Sequence, residues 1–339
     1  EKLVDTISLQ LLSARPPAKA RNKTMNTDLK HPFSFAAVGN ANNAPDTTNY
    51  GQVGYDYKIG EFEVTVAQYV DFLNSAAKLQ NPAKPSEDKY NLYNPDMNDF
   101  AGYFENTIVR AGAGTGVDPF TYTVAVAAET TDKSGKVIKN PGTIPNAPVP
   151  YVTPDNIARF VNWLNNGATS TSSTETGAYD MAAFDRTGIL TKSANAKYWI
   201  PTENEWYKAA YYDQSLNGGK GGYWKMPTQS NDFPLQAQPP GGTTNAANYN
   251  GVMPDFKKLT AVGAYTTSDG FYGTFDQAGN LWEWTSTSVN ENFVVRGGSW
   301  SLGQMTVTST HRRDYKTSYS DDDTGFRIAT LASTPAAAT

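Results

Sequence analysis

Cysteine is absent from all 339 positions of this chain. Its absence excludes disulfide bonds, thiolate metal sites and cysteine nucleophiles, although it does not identify a compartment, because both cytosolic and secreted proteins can lack thiols. Histidine occurs only at His31 and His311, so a site with several histidine ligands cannot be built. No apolar run approaches the length that a membrane-spanning helix needs.

Charged and hydrophobic residues are also scarce, at 18% and 39% of the chain, whereas glycine (28), proline (20) and tyrosine (20) are plentiful. This composition favours a loop-rich domain with aromatic packing over a helical bundle. The formal net charge of −5 provides no cationic surface, so nucleic acid and anionic lipid are poor partners. The length suffices for one large domain or two small ones.

Residues 1–45 differ from the rest of the chain. The first twelve contain five large aliphatic residues in partly alternating order, namely Val4, Ile7, Leu9, Leu11 and Leu12. A basic segment with few apolar residues follows at 13–32. We predict an extended arm over 1–45, either an unstructured leader or a strand that adds to a sheet edge. If that edge belongs to a second copy, residues 1–14 would assemble the chain into a homo-oligomer or filament.

Three helices are predicted to begin directly after threonines that can act as N-caps. Thr65 precedes apolar residues at helical spacing. Thr153 is followed by Pro154, which is typical of the first helical position. Thr202 has Glu205 three residues further on, so the two side chains can form a capping box.

Alternation of apolar and polar residues predicts strands at Val53–Ile59, Phe62–Val64 and Phe120–Val126. The last of these lies in a long insertion, 88–148, where Ser134-Gly135 offers the turn of a β-hairpin. The Gly/Ser/Thr-rich stretch 169–187 is predicted as a loop. Asp321–Asp323 lacks the spacing of a calcium loop and is predicted as a solvated loop.

Short motifs follow one another in a specific order, with the sequences Glu-Phe-Glu-Val-Thr at 61–65, Ile-Pro-Thr-Glu-Asn-Glu-Trp at 200–206, Gly-Asn-Leu-Trp-Glu-Trp at 279–284, Arg-Gly-Gly-Ser-Trp at 296–300 and Gly-Phe-Arg-Ile-Ala at 325–329. Together they resemble the formylglycine-generating enzyme (sulfatase-modifying factor) family. The resemblance implies an α+β, loop-rich variant of the C-type lectin fold over residues 46–331, with a tail at 332–339. The segment 325–329 is predicted as a closing strand whose Arg327 pairs with a buried carboxylate.

The family's catalytic residues do not carry over. Family members oxidise a substrate cysteine with copper held by two cysteines, and the resemblance places these at Leu302 and Val307, which cannot bind copper. Ser299 matches a serine that lies near the family's active site. His311 has no second histidine beside it, and no nucleophile elbow supports a serine hydrolase. We therefore assign no catalytic residue and predict a pseudoenzyme.

The resemblance also implies structural calcium. One site would use the carbonyls of Ala278, Gly279 and Leu281 with the carboxylate of Glu283, and a second would use Asn248, Tyr249, Asp255 and the carbonyl of Lys257. Carboxylate and carbonyl oxygens are the ligands that calcium prefers. The alternative is that Trp282 and Trp284 are core aromatics and that Glu283 is a hydrogen-bonded carboxylate at a strand end.

Two functional classes remain open. The first is a non-catalytic module, extracellular or at the cell surface, that presents Leu302–Thr324 to a protein or glycan ligand or to a neighbouring subunit. The candidate contact residues are Ser299, Trp300, His311, Arg312 and Tyr315. Hypervariable ligand-binding proteins on this scaffold vary in the same interval, and its Ser, Thr, Tyr and Asp residues suit polar recognition. The second class is an oxidoreductase of the family with an unrecognised metal or cofactor, which the missing cysteines disfavour.

Overall fold

The structure, a computed structural model, describes residues 24–25, 29–98, 108–124, 130–131, 137–138, 144–252 and 259–332. Within these residues, helices and short strands are connected by long irregular segments. The α+β, loop-rich class predicted from the sequence is confirmed. Among the same residues, no helix combines the length and apolarity needed to cross a membrane.

The main helices in the described part of the chain are α1 (Val66–Ala76), α2 (Pro154–Asn165), α3 (Met181–Thr187) and α4 (Glu203–Tyr211), and an irregular helical turn lies at Leu216–Gly219. Thr65, Thr153 and Thr202 each form a capping box with the residue three positions on, which confirms the three predicted helix starts. The stretch 169–187 was wrongly predicted as entirely loop, because Asp180 caps α3 and Gly188, with φ 65°, ends it.

The first sheet is antiparallel throughout, with strands in the order Thr24–Met25, Ser34–Val38, Tyr57–Gly60, Ala329–Leu331 and Tyr198–Trp199. Ser34–Val38 belongs to the segment predicted as an arm, so this part of 1–45 is a strand of the domain's own sheet. Residues 1–23 lie outside the described residues. Assembly through 1–14 therefore stays a prediction.

The second sheet contains the strands Arg313–Lys316, Asn292–Arg296, Trp282–Val289 and Thr324–Gly325, in that order. Thr324–Gly325 runs parallel to Trp282–Val289, whereas the other pairs are antiparallel. The single closing strand predicted at 325–329 is divided, because Gly325 pairs in this sheet and Ala329 pairs in the first. Phe326, Arg327 and Ile328 cross between the sheets through the core, where all three are buried.

Smaller antiparallel pairs join Gln80–Asn81 to Lys84–Asp88, Ile108–Ala111 to Thr121–Val124, Thr130–Thr131 to Val137–Ile138 and Tyr212–Asp213 to Gly222–Tyr223, while Leu235–Gln236 runs parallel to Ala246–Ala247. Single 3-10 turns lie at Pro95–Asn98, Ile144–Asn146 and Gln304–Val307. In the insertion, Thr130–Thr131 pairs with Val137–Ile138, whereas the predicted turn at Ser134-Gly135 lies outside the described residues. The predicted strand at Phe120–Val126 is observed as Thr121–Val124, and its partner is Ile108–Ala111. No strand forms at Phe62–Val64. The Val64 backbone makes one hydrogen bond to Phe326 and one with Val149, and the chain then enters α1, which Thr65 caps.

Aromatic rings hold the helices against the crossing segment. The Phe160 ring of α2 lies 5.9 Å from Tyr69 and 5.3 Å from Phe72 of α1, measured between ring centroids. It also lies 5.3 Å from Phe326, with the two rings nearly perpendicular. Edge-to-face and offset arrangements at these separations are favourable for aromatic pairs. The packing therefore fixes the position of Arg327, the residue next to Phe326.

Candidate functional site

The motifs at 279–284 and 325–329 meet in a buried ion pair. Arg327 donates from Nε to Oε2 of Glu283 at 2.5 Å and from Nη2 to Oε1 at 2.6 Å. Trp206 of α4 donates from its indole nitrogen to the same Oε2 at 2.8 Å. Glu283 and Arg327 are both 0% exposed. The predicted pairing of Arg327 with a core carboxylate is confirmed, and Glu283 is its partner.

All five N–H groups of the Arg327 guanidinium have acceptors. Besides the two bonds to Glu283, Nη1 donates to the carbonyls of Gly60 and Glu61, and Nη2 donates to the carbonyl of Phe275. A guanidinium has five donors in a fixed planar fork, so this side chain is completely satisfied in one orientation. Arg327 thus joins the first sheet, the second sheet and the loop before residue 279.

Two further carboxyl groups lie close to this pair. Glu63 is buried and accepts hydrogen bonds from the Asn280 side chain at 2.9 Å and from the Leu281 backbone at 3.2 Å. Burial, with the charges of Asp276 and Glu283, raises the pKa of Glu63 well above its usual range, and burial raises the pKa of Asp276 to about 6. Three carboxyl groups facing one guanidinium leave excess negative charge, which a proton or a bound cation can offset.

The residues of the two predicted calcium sites are adjacent. Asn248 and Gly279 form a parallel backbone bridge, and the Asn280 amide donates to the Asn248 carbonyl at 2.8 Å. Asn280, which the sequence did not single out, also accepts on its side-chain oxygen from the Asn248 side chain at 3.2 Å and from the Thr260 backbone at 3.1 Å. Asp255 and Lys257 lie outside the described residues.

The donor set at the first predicted calcium site is mainly backbone. The Glu283 carboxylate already accepts three hydrogen bonds, from Arg327 twice and from Trp206. Among the described residues, no three His, Asp or Glu side chains are grouped as a metal site would require. An ion here would therefore depend on the carbonyls of Ala278, Gly279 and Leu281, with Glu283 as a shared oxygen ligand. Calcium binding stays a prediction.

The two positions that match the family's copper cysteines are occupied by apolar packing. Val307 is 0% exposed and lies in a small cluster with Met226, Ala247, Tyr249 and Ala278. Leu302 is partly buried and packs against the main core. Aliphatic groups provide no ligand for copper, so the structure gives these positions a packing role.

Three of the predicted contact residues already make contacts within the chain. Ser299 is 0% exposed, and Arg312 donates to Glu203 at 2.8 Å. The His311 ring stacks on Trp282 with 5.7 Å between ring centroids. Burial and the charges of Arg313 and Arg296 lower the pKa of His311. Of the five candidates, Trp300 and Tyr315 are partly exposed aromatic residues.

An acidic corner, defined here as Tyr319, Asp321, Asp322 and Asp323, lies beside these aromatic residues. Tyr319 stacks on Tyr315 with 4.1 Å between ring centroids, and its hydroxyl donates to Asp321 at 3.2 Å. The prediction of a solvated loop at 321–323 is wrong for Asp323, which is 8% exposed. Burial and the charges of Asp321 and Asp322 raise the pKa of Asp323 to about 6. A run of three aspartates gave no sequence signal that one of them turns inward.

Comparison with known proteins agrees with the motifs. Residues 29–332 match the family model described as the sulfatase-modifying factor enzyme 1-like domain. Two proteins named inactive C-alpha-formylglycine-generating enzyme 2, from Bos taurus and Mus musculus, are 31% and 30% identical over 150 residues. These matches cover 40% of this chain and 45% and 44% of the two relatives. The chain thus spans less than half the length of the curated relatives it matches.

A solved structure agrees on the fold. Treponema denticola variable protein 1 aligns with 92% of this chain and 99% of its own, with a TM-score of 0.51 and 18% sequence identity. Likeness at this identity concerns the fold alone. The match to the family model, which extends over most of the chain, confirms the resemblance and the lectin-like fold that it implies. This chain belongs to the sulfatase-modifying factor enzyme 1-like domain family.

Proposed function

We propose that the chain is a non-catalytic member of its family and acts as a binding module. The observation that carries the proposal is the apolar filling of the two copper-ligand positions by Leu302 and Val307. The curated relatives named as inactive enzymes support it. The alternative, an oxidoreductase with another metal or cofactor, has no specific observation in its favour among the described residues.

The proposal predicts that the protein does not convert cysteine to formylglycine. Purified protein is incubated with copper and a cysteine-containing sulfatase-type peptide, and the peptide is analysed by mass spectrometry. The cysteine is expected to remain unmodified, because no thiolate is present to hold and activate copper. An active enzyme of the family, run in parallel, shows that the assay works. Formylglycine above the level of a protein-free control would refute the proposal.

We place the binding surface on the segment Leu302–Thr324, and we propose that it meets its ligand outside the cell. The edge strand Arg313–Lys316 and the loop to Asp323 carry exposed polar groups beside the half-buried rings of Tyr315 and Tyr319. Rigid aromatic rings combined with adaptable polar groups suit recognition surfaces.

We also propose that calcium stabilises the domain through the carbonyls around Gly279. A ligand bound only by the folded state raises the free energy of unfolding by about 2.7 kcal/mol at one hundred times its Kd. Treatment with a strong chelator is therefore expected to lower the Tm, and calcium added back is expected to restore it. The wild-type chain is the right subject, because changing Glu283 would also break the Arg327 pair. An unchanged melting curve, with no metal found by elemental analysis, would favour the alternative of a purely aromatic core.

A further inference from the structure

One carboxylate oxygen of the acidic corner lacks a hydrogen bond. Oδ1 of Asp323 is buried and has no partner among the described residues. Oδ2 accepts from the Ser299 hydroxyl at 3.2 Å. A buried acceptor without a donor is destabilising, so native proteins rarely retain one without a role. The residue keeps 8% of its surface exposed, which places it just below the protein surface.

The acidic corner also contains aromatic rings and further carboxyl groups. The Tyr319 hydroxyl donates to Asp321 at 3.2 Å, and burial with the charges of Asp323 and Asp321 raises the pKa of Tyr319. The Trp300 indole nitrogen donates to the Asp322 carbonyl at 3.4 Å, so a second ring borders the corner. Tyrosine and tryptophan rings attract cations through their faces, and carboxylates attract them by charge.

Arg313 is a cation whose charge acts on Asp323, but its guanidinium contacts other groups. Its guanidinium lies 5.6 Å from the Trp282 ring and donates to the Tyr315 hydroxyl at 3.2 Å. Its charge lowers the pKa of Asp323, against the effect of burial. The acidic corner therefore combines three carboxyl groups with two aromatic rings, and Oδ1 of Asp323 has no hydrogen-bond donor. Among the described residues, no cation bonds to Asp323.

Resting on the proposed binding role, we propose that the acidic corner binds the ammonium or guanidinium group of a ligand, with Asp323 as its hydrogen-bond acceptor. An N–H donor supplies the bond that Oδ1 lacks, and its charge makes that bond stronger than one from a neutral hydroxyl. An anionic ligand is disfavoured by the three carboxyl groups. Such a group can belong to a lysine or arginine side chain of a partner protein or to a free small amine.

Binding is measured by calorimetry with Nα-acetyl-lysine amide and Nα-acetyl-arginine amide, with the uncharged Nα-acetyl-norleucine amide as control. At least one cationic probe is expected to bind and the norleucine probe is not. Asp323→Asn, which keeps the size and removes the charge, is expected to weaken binding about tenfold or more. Asp232→Asn makes the same change at an exposed aspartate outside the acidic corner and is expected to leave binding unaltered. Tighter binding of a lysine pentapeptide than of butylammonium would indicate a protein partner, and the reverse a free amine.

The pH dependence provides a second test. Protonation of Asp323 removes the charge, so binding is expected to weaken as pH falls through about 6 and to be strongest above it. Asp321, Asp322, Arg313 and Tyr319 are the charged and titratable groups that face this carboxyl. Asp323→Asn, once its melting curve shows that it folds, is expected to lose this dependence.

Absence of binding by every cationic probe, equal binding of the norleucine probe, or wild-type affinity in Asp323→Asn would each overturn the assignment. The amine-binding result can be told apart from the result of the formylglycine assay. Formylglycine formation would refute the non-catalytic role without affecting amine affinity. Failure of amine binding would leave the formylglycine result as it stands.

Discussion

Replacing Glu283 with Gln is expected to lower the free energy of unfolding by about 3 kcal/mol. The change leaves the Arg327 guanidinium buried without its bidentate partner, and breaking a buried ion pair from one side costs about 3–5 kcal/mol. We expect the lower end of that range, because Glu63 and Asp276 still offset part of the arginine charge. Urea unfolding followed by tryptophan fluorescence measures the loss.

Two variants separate this effect from a general loss of charge. The double change Glu283→Gln with Arg327→Met is expected to recover part of the stability, because no unpaired charge then remains in the core. Glu87→Gln breaks the exposed pair with Lys84, where nitrogen and oxygen are 3.1 Å apart, and is expected to cost less than about 1 kcal/mol. Equal losses for Glu87→Gln and Glu283→Gln would contradict the special role of the buried pair.

Replacing Gly279 with Ala is expected to cost more than about 3 kcal/mol. Gly279 has φ 84°, and a Cβ built on it would lie 2.0 Å from the backbone oxygen of Asn248. The backbone strain of a left-handed alanine accounts for about 1–2 kcal/mol, and the rest comes from forcing the two backbone segments apart. Since these segments carry the predicted calcium ligands, the variant is also expected to bind calcium more weakly.

Gly251→Ala is the matched control for this change. Gly251 also has positive φ, at 66°, but an added Cβ would meet nothing within 4 Å. The free energy of unfolding of Gly251→Ala is expected to fall only by the backbone strain of a left-handed alanine, about 1–2 kcal/mol. Chemical unfolding of the two variants in parallel gives the comparison. Equal losses of unfolding free energy in the two variants would mean that the close contact between Asn248 and Gly279 does not exclude a Cβ at residue 279.

Features that depend on neighbouring residues were predictable from the sequence. The helix starts at Thr65, Thr153 and Thr202 follow from side chains within three residues of each cap. The short helix after Asp180 carries the same kind of cap, but its seven residues show too little periodicity to outweigh a Gly/Ser/Thr-rich setting.

Features that depend on distant residues were not predictable. The sequence indicated that Arg327 has a carboxylate partner but did not identify it, because Glu283 lies 44 residues earlier in the chain. Glu63 approaches Asn280 across 217 residues, and no local pattern marks either as part of the same cluster. The turn of Asp323 into the protein likewise involves Ser299, whose hydroxyl donates to it from 24 residues earlier in the chain.

The strand Ala329–Leu331 lies between Tyr57–Gly60 and Tyr198–Trp199 in the first sheet. On the ribosome, both of its neighbours are made well before it. Until residue 331 has left the exit tunnel, each neighbour presents an open edge that another nascent chain can pair with. Closing such a distant contact is slow, because the intervening chain must first be brought together. High expression rates are therefore expected to favour aggregation, and slower translation to favour the native sheet.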